Sequence, residues 1–225
     1  MKTYPEKFAR LPGGGEPAWK IAYLFPSQGD WCEGEYLALN TNHLVELSQG
    51  RLEVLPMPTT SHQMLAAHLY GLLLAFAAGR DLGTVLFAGV LVRLWPGTIR
   101  EPDIAFLLKE HAGRMSNKFW KGADLVMEIV SGGAEDRKRD LKEKRQEYAQ
   151  AGIPEYWIVD PHEERITVLR LDGKEYAVHG EHLKGATASS HLLPGFSADV
   201  TTAFAQRLPS ASPKQSRKPR RSKKS

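Results

Sequence analysis

The residues best suited to chemistry in this chain are acids in places that disfavour them. In DLVMEIVSGG, residues 124–133, Leu125, Met127 and Ile129 point to one face of a strand, and Val126, Glu128 and Val130 point to the other. Both faces are apolar, as in the middle of an α/β sheet, so an ionised Glu128 must be paired, hydrogen-bonded or metal-bound to offset its lost solvation. A second acid, Asp103, follows Pro102 in REPDIAFLL, residues 100–108. Proline gives no amide to a ladder, so it marks a break that turns the next side chain in an unusual direction. Alone, Asp103 reads as an ordinary turn residue; on a strand neighbouring Glu128, it becomes half of a pair. Two carboxylates converging between apolar strands repel unless a cation lies between them, and hard oxygen ligands favour Mg²⁺ or Mn²⁺.

The segment after Glu128 supplies a third element. Asp140, Lys144 and Tyr148 are spaced i, i+4, i+8 and lie along one side of a helix. For Asp140 the expected role is a solvated ion pair worth a few tenths of a kcal/mol. Lys144 differs, because a helix that follows a central strand packs back over it and one of its lysines can reach the carboxylates. His62 falls three residues before Leu65 and seven before Leu69 on another helix, and reads first as a structural histidine and second as a site residue. No GxxxxGK[ST] loop, GxSxG elbow, HExxH pair or GxGxxG turn occurs, and Gly13-Gly14-Gly15 follows no strand.

These residues need elements to hold them. HLVEL and RLEVL flank Ser48-Gln49-Gly50 and predict a hairpin over 43–55. Thr60 is the expected N-cap of a helix with Gln63 at the capping-box position, an apolar stripe of Leu65, Leu69, Leu72, Leu73 and Phe76, and an end near Gly79. TVLFAGVLVRL (84–94) and REPDIAFLL then form a second hairpin around Trp95-Pro96-Gly97. A polar loop, Asn117 to Gly122, leads to the Glu128 strand, and residues 135–152 form a helix closed by a glycine and Pro154. EYWIVDP is a buried strand, RITVLRL and EYAVH form a hairpin around Asp172-Gly173, and a short helix is expected over 201–207. The fold class is α/β, a mixed central sheet flanked by helices with extra hairpins.

The chain has 225 residues, a 42% apolar fraction and one cysteine, Cys32. That excludes an internal disulfide and a CxxC metal site, and fits a reducing cytoplasm. The start lacks an apolar signal region, and LLLAFAA, residues 72–78, is too short to span a bilayer, so no membrane is expected. The net charge of +4 is misleading, because residues 209–225 hold seven lysines and arginines and no acid, which leaves −3 for residues 1–208. The expected organisation is an irregular segment over 1–39, one domain over 40–208 and a disordered basic tail over 209–225.

The order Pro102-Asp103, Glu128 within a strand, then Lys144 on the next helix resembles the PD-(D/E)XK nuclease superfamily. Val130 stands where the lysine of that motif usually stands. The chain is similar to the Uma-two group of restriction endonucleases, a bacterial family in which the lysine has moved to the helix. The resemblance runs from about Asn40 to Phe204 through HLVELSQGRLEVLPMP, REPDIAF, ADLVMEIVS, RDLKEKRQEYAQAGIPEYWIVDP and LLPGFSADV. It implies a restriction-endonuclease-like core and a divalent metal, Mg²⁺ or Mn²⁺, held by Asp103, Glu128 and the carbonyl of Ile129. It further implies that Lys144 orients or activates a water or neutralises the transition state, that Glu46 stands where the family's hairpin acid stands, and that the substrate is a phosphodiester of nucleic acid, with DNA the first expectation. By its period Glu46 looks either into the core or along the hairpin edge. A homodimer is a natural expectation, since cutting two strands commonly takes two sites. Two rival readings remain: a catalytically inactive nucleic-acid-binding or protein-interaction module on the same fold, and binding through the basic tail alone.

Overall fold

The computed structural model describes residues 25–39, 44–133 and 137–206. The expected basic tail and Gly13-Gly14-Gly15 lie outside them. A short helix, α1 (Glu33–Leu37), stands in the segment expected to be irregular. The first hairpin is present as β1 (Val45–Ser48) and β2 (Arg51–Val54). Its turn places Gln49 at φ 50° and Gly50 at φ 74°, the two left-handed positions of a type I′ turn. A Cβ on Gly50 would also stand 2.3 Å from the carbonyl oxygen of Gly29. Helix α2 (Thr60–Ala78) is capped one residue earlier than expected: Thr59 accepts from the backbone N–H of His62 at 3.2 Å.

The second hairpin is present but broken in both arms. Its first arm divides into β3 (Gly83–Phe87) and β4 (Val92–Trp95), and its second into β5 (Thr98–Arg100) and β6 (Ile104–Leu108). β4 pairs with β5 across the Trp95-Pro96-Gly97 turn, while β3 pairs with β6, so one hairpin feeds two sheets. The breaks fall at Gly89, with φ 102°, and at Pro102, which has no amide to donate. The loop expected at 117–122 contains a further short strand, β7 (Trp120–Lys121), parallel to β4.

The central sheet runs β11-β10-β9-β8-β6-β3, with β8 (Leu125–Ile129), β9 (Glu155–Asp160), β10 (Arg165–Asp172) and β11 (Glu175–Leu183). The β8–β9 pair is parallel and the others antiparallel, so the sheet is mixed. The second sheet, β2-β1-β5-β4-β7, stands beside it. β8 is buried on both faces, as its pattern requires. Leu125, Met127 and Ile129 join the core under α2, and Val126 and Val130 join the opposite core. The latter is covered by α3 (Lys144–Gln150), which a π-helical turn (Arg139–Glu143) precedes. A Schellman motif ends α3: Ile153 N–H donates to the carbonyl of Tyr148 and Gly152 N–H to that of Ala149, both at 3.0 Å. That closure aims the chain directly into β9. A two-stranded ribbon, β12 (Thr187–Ser189) with β13 (Ser197–Asp199), and α4 (Val200–Ala205) complete the α2 side.

Candidate active site

The register of the central sheet brings the two acids together. β6 pairs with β8 through Phe106↔Leu125 and Ile104↔Met127, and one further step along the same ladder sets Asp103 against Glu128. There Pro102 has broken the pairing, and Asp103 Oδ2 takes the ladder's place by accepting the Ile129 N–H at 2.7 Å. Both acids line one small cavity of about 50 Å³ with Lys144, Asp140 and His62. His62 Nε2 stands 3.3 Å from Asp103 Oδ2, so the first turn of α2 contributes an imidazole to the site.

Lys144 crosses from α3 to Glu128 because α3 covers the β8 face on which Glu128 lies. Its Nζ is 2.9 Å from Glu128 Oε1, 3.1 Å from Glu46 Oε1 and 3.9 Å from Asp140 Oδ1, with 2% of the side chain exposed. One turn on, Tyr148 OH donates to the same Glu128 Oε1 at 2.6 Å. Asp140 is buried at 3% exposure, which corrects the expectation of a solvated ion pair. The π-helical turn turns it inward, and such turns are frequent at functional sites.

Glu46 settles between its two possible faces on the core side, completely buried. Its Oε1 accepts the Glu101 N–H at 2.9 Å and faces Lys144, and its Oε2 accepts from Arg100 Nη1 at 2.8 Å. Each of its oxygens therefore already has a cation. Arg100 also donates from Nε to Glu147 Oε2 at 2.7 Å and from Nη1 to Glu53 Oε2 at 2.5 Å. One buried guanidinium thus ties β1, β2 and β5 to α3.

The electrostatics follow from burial opposed by these partners. Burial raises the Glu128 carboxyl, with Lys144 opposing and Asp103, Asp140 and Glu46 adding, to about 8. In Glu46 burial is outweighed by Lys144 and Arg100, so it stays below the usual range. Lys144 is pushed down by burial, but Glu128, Glu46 and Asp140 more than offset this, and it is held above its ordinary value as a permanent cation. For His62 burial opposes the charged ring, while the hydrogen bond and charge of Asp103 favour it and prevail.

Among the described residues no three side chains of His, Cys, Asp or Glu are gathered into a cluster that could hold a metal. A site with fewer protein side chains is what a magnesium-type ion ordinarily uses, one or two carboxylates with several waters retained. The donors here meet that requirement. The bonds described for Asp103 fall on Oδ2 and those for Glu128 on Oε1, and Asp103, Glu128 and Ile129 line the same cavity, so the donors at hand are hard oxygens.

The sequence pointed to Asp103, Glu128, Lys144 and Glu46 but missed Arg100 and Glu147. The available signal was a charged residue at position 100 immediately before the break in an apolar hairpin. It needed a partner for the same reason that Glu128 did.

No curated protein matches the chain. Among solved structures, the chain is similar to a "putative nuclease belonging to DUF820" from Anabaena variabilis ATCC 29413, at 16% identity and a TM-score of 0.64, covering 79% of this chain and 99% of that one. At that identity the likeness shows the shared nuclease-like fold. A family model described as "Putative restriction endonuclease" matches residues 33–201, three quarters of the chain and every site residue described above. The chain belongs to the Uma2 family.

Proposed function

We propose that the protein is a divalent-metal-dependent endonuclease that hydrolyses DNA phosphodiester bonds in the cytoplasm. The observation that carries this reading is the opposition of Asp103 and Glu128 on adjacent strands, with the Lys144 ammonium fixed against Glu128. Asp103, Glu128 and the Ile129 carbonyl would hold Mg²⁺ or Mn²⁺, which, when bound, supplies Lewis-acid polarisation of a phosphate oxygen and lowers the pKa of a nearby water.

The protein's own groups then have distinct tasks. Lys144 keeps its proton, so it serves as a hydrogen-bond donor and counter-charge to the phosphate, and not as a general base. Glu46 and Arg100 position Lys144 and the β1 strand around it. Tyr148 fixes the Glu128 rotamer through Oε1. The water oxygen forms a bond to phosphorus while its proton passes to bulk water, and the bond from phosphorus to the 3′-oxygen breaks with that oxygen taking a proton. Two chains, one on each strand, would make a double-strand cut.

The test is cleavage of supercoiled plasmid with Mg²⁺ or Mn²⁺. Wild type should nick or linearise it, and Asp103→Asn and Lys144→Ala should each lose the activity while circular dichroism shows the fold retained. Undiminished cutting by both variants would overturn the site. DNA binding without cutting in either metal would make the protein an inactive binding module.

A further inference from the structure

A cavity of about 500 Å³ adjoins the acids. It shares four wall residues with the small space around Asp103 and Glu128, namely Pro56, Pro58, His62 and Ser131. The rest of its wall is apolar at Met57, Leu65, Val130, Pro161 and Phe204 and polar at Thr59, Ser61, Arg137, His162 and Gln206. Gly132 and Gly133 add wall with no side chain. Its volume falls within the range of small-ligand sites, roughly 300–1,000 Å³.

The acids beside it are recessed. Glu128 is 4% exposed, Lys144 2%, and the Asp103 side chain 17%. The space at the acids is small, about 50 Å³. A phosphate on an intact duplex lies on a ridge with its bases stacked inward, and cannot reach groups this deep without the strand being drawn in. Drawing it in takes a neighbouring base out of the stack, which is least costly where the base is already unpaired. The apolar walls beside the acids match the faces of such a base.

We propose that this cavity binds one unpaired nucleobase of the substrate strand, next to the phosphate addressed by Asp103 and Glu128, so that the enzyme prefers single strands, frayed ends and flaps to intact duplex. This rests on the nuclease reading above. The base contributes through burial of its faces, and every base has such faces, so the preference is for structure and not for sequence.

The experiment compares kcat/KM of the full-length protein with Mn²⁺ on a single-stranded oligonucleotide, a flap and a blunt duplex of one sequence. It then places a single abasic residue at each position around the cut in the single strand. The single strand and the flap should be cleaved at least about tenfold faster than the duplex. An abasic residue at one position flanking the cut should cost about tenfold, with little effect elsewhere. Cleavage of blunt duplex as fast as single strand, with abasic residues silent at every position, would overturn the base site while leaving the nuclease reading intact. No cleavage of any strand would overturn the nuclease reading itself, and this inference with it.

Discussion

Replacing Lys144 by methionine removes the cation that two buried glutamates share while keeping most of the side-chain volume. Glu46 would still have the Arg100 guanidinium and the Glu101 N–H, at 2.8 and 2.9 Å. Of the hydrogen-bond partners described for Glu128, the Tyr148 hydroxyl would remain, with the carboxyl still buried opposite Asp103. Removing one partner of a buried ion pair typically costs about 3–5 kcal/mol, because the other charge is left uncompensated. At roughly 2–4 °C per kcal/mol for a domain of this size, Tm should fall by about 6–20 °C. The second substitution of Glu128→Gln removes the stranded charge, so the double variant should be more stable than Lys144→Met alone. Thermal melts followed by circular dichroism, in EDTA and at a fixed pH above about 8, where Glu128 carries its charge beside Lys144, measure both effects. A loss below about 1 kcal/mol in the single variant, or a double variant that simply adds two losses, would refute the reasoning that Lys144 is there to balance Glu128.

Other sites give independent predictions. Glu155 clamps the segment after β12, accepting from Ser190 Oγ, His191 N–H, Leu192 N–H and Trp157 Nε1 at 2.6–2.7 Å. Glu155→Ala should therefore cost roughly 2–4 kcal/mol in urea melts and leave the cleavage rate per folded molecule unchanged. Asp160 pairs with both terminal nitrogens of Arg137, at 3.1 and 2.8 Å. Burial works against its charge, but that pair and the backbone N–H groups of Glu163 and His162 hold its carboxyl below the usual value of 3.8. A depressed carboxylate stabilises the fold above its unfolded pKa and loses that contribution as pH falls through its folded one. Asp160→Asn should accordingly lose about 1–2 kcal/mol at neutral pH, and a pH series of melts should show the gap from wild type closing below about pH 3.8. His62→Ala should lower cleavage by about tenfold or more with Tm nearly unchanged, and full activity in that variant would return His62 to a structural role.

The alternation in DLVMEIV made the central strand legible, because a strand buried on both faces leaves an unmistakable apolar run with one polar exception. Periodicity likewise gave α2, helix-forming residues closed by a glycine and Pro154 gave the Lys144 helix, and turn chemistry gave the hairpin at Gln49-Gly50. What stayed hidden was the division of the second hairpin between two sheets. Gly89 and Pro102 signalled breaks, but nothing local tells which sheet each half will join. Glu46 was undecided for the same reason, since its burial depends on Arg100, far along the sequence, donating to it from the neighbouring strand β5. Asp140 was misread because a π-helical turn shifts which residues face inward, and an i, i+4 rule assumes a regular helix. The second sheet's β7, only two residues long, carries too little pattern to be seen.

In the proposed function Asp103 and Glu128 together hold one divalent cation beside Lys144. Titration of the full-length wild-type protein with Mn²⁺, followed by calorimetry and by the loss of the free-ion electron paramagnetic resonance signal, tests it without reference to any substrate. One ion should bind per chain, and Asp103→Asn and Glu128→Gln should each weaken that binding by at least about tenfold. Unchanged binding in both variants, or none in the wild type, would contradict the account.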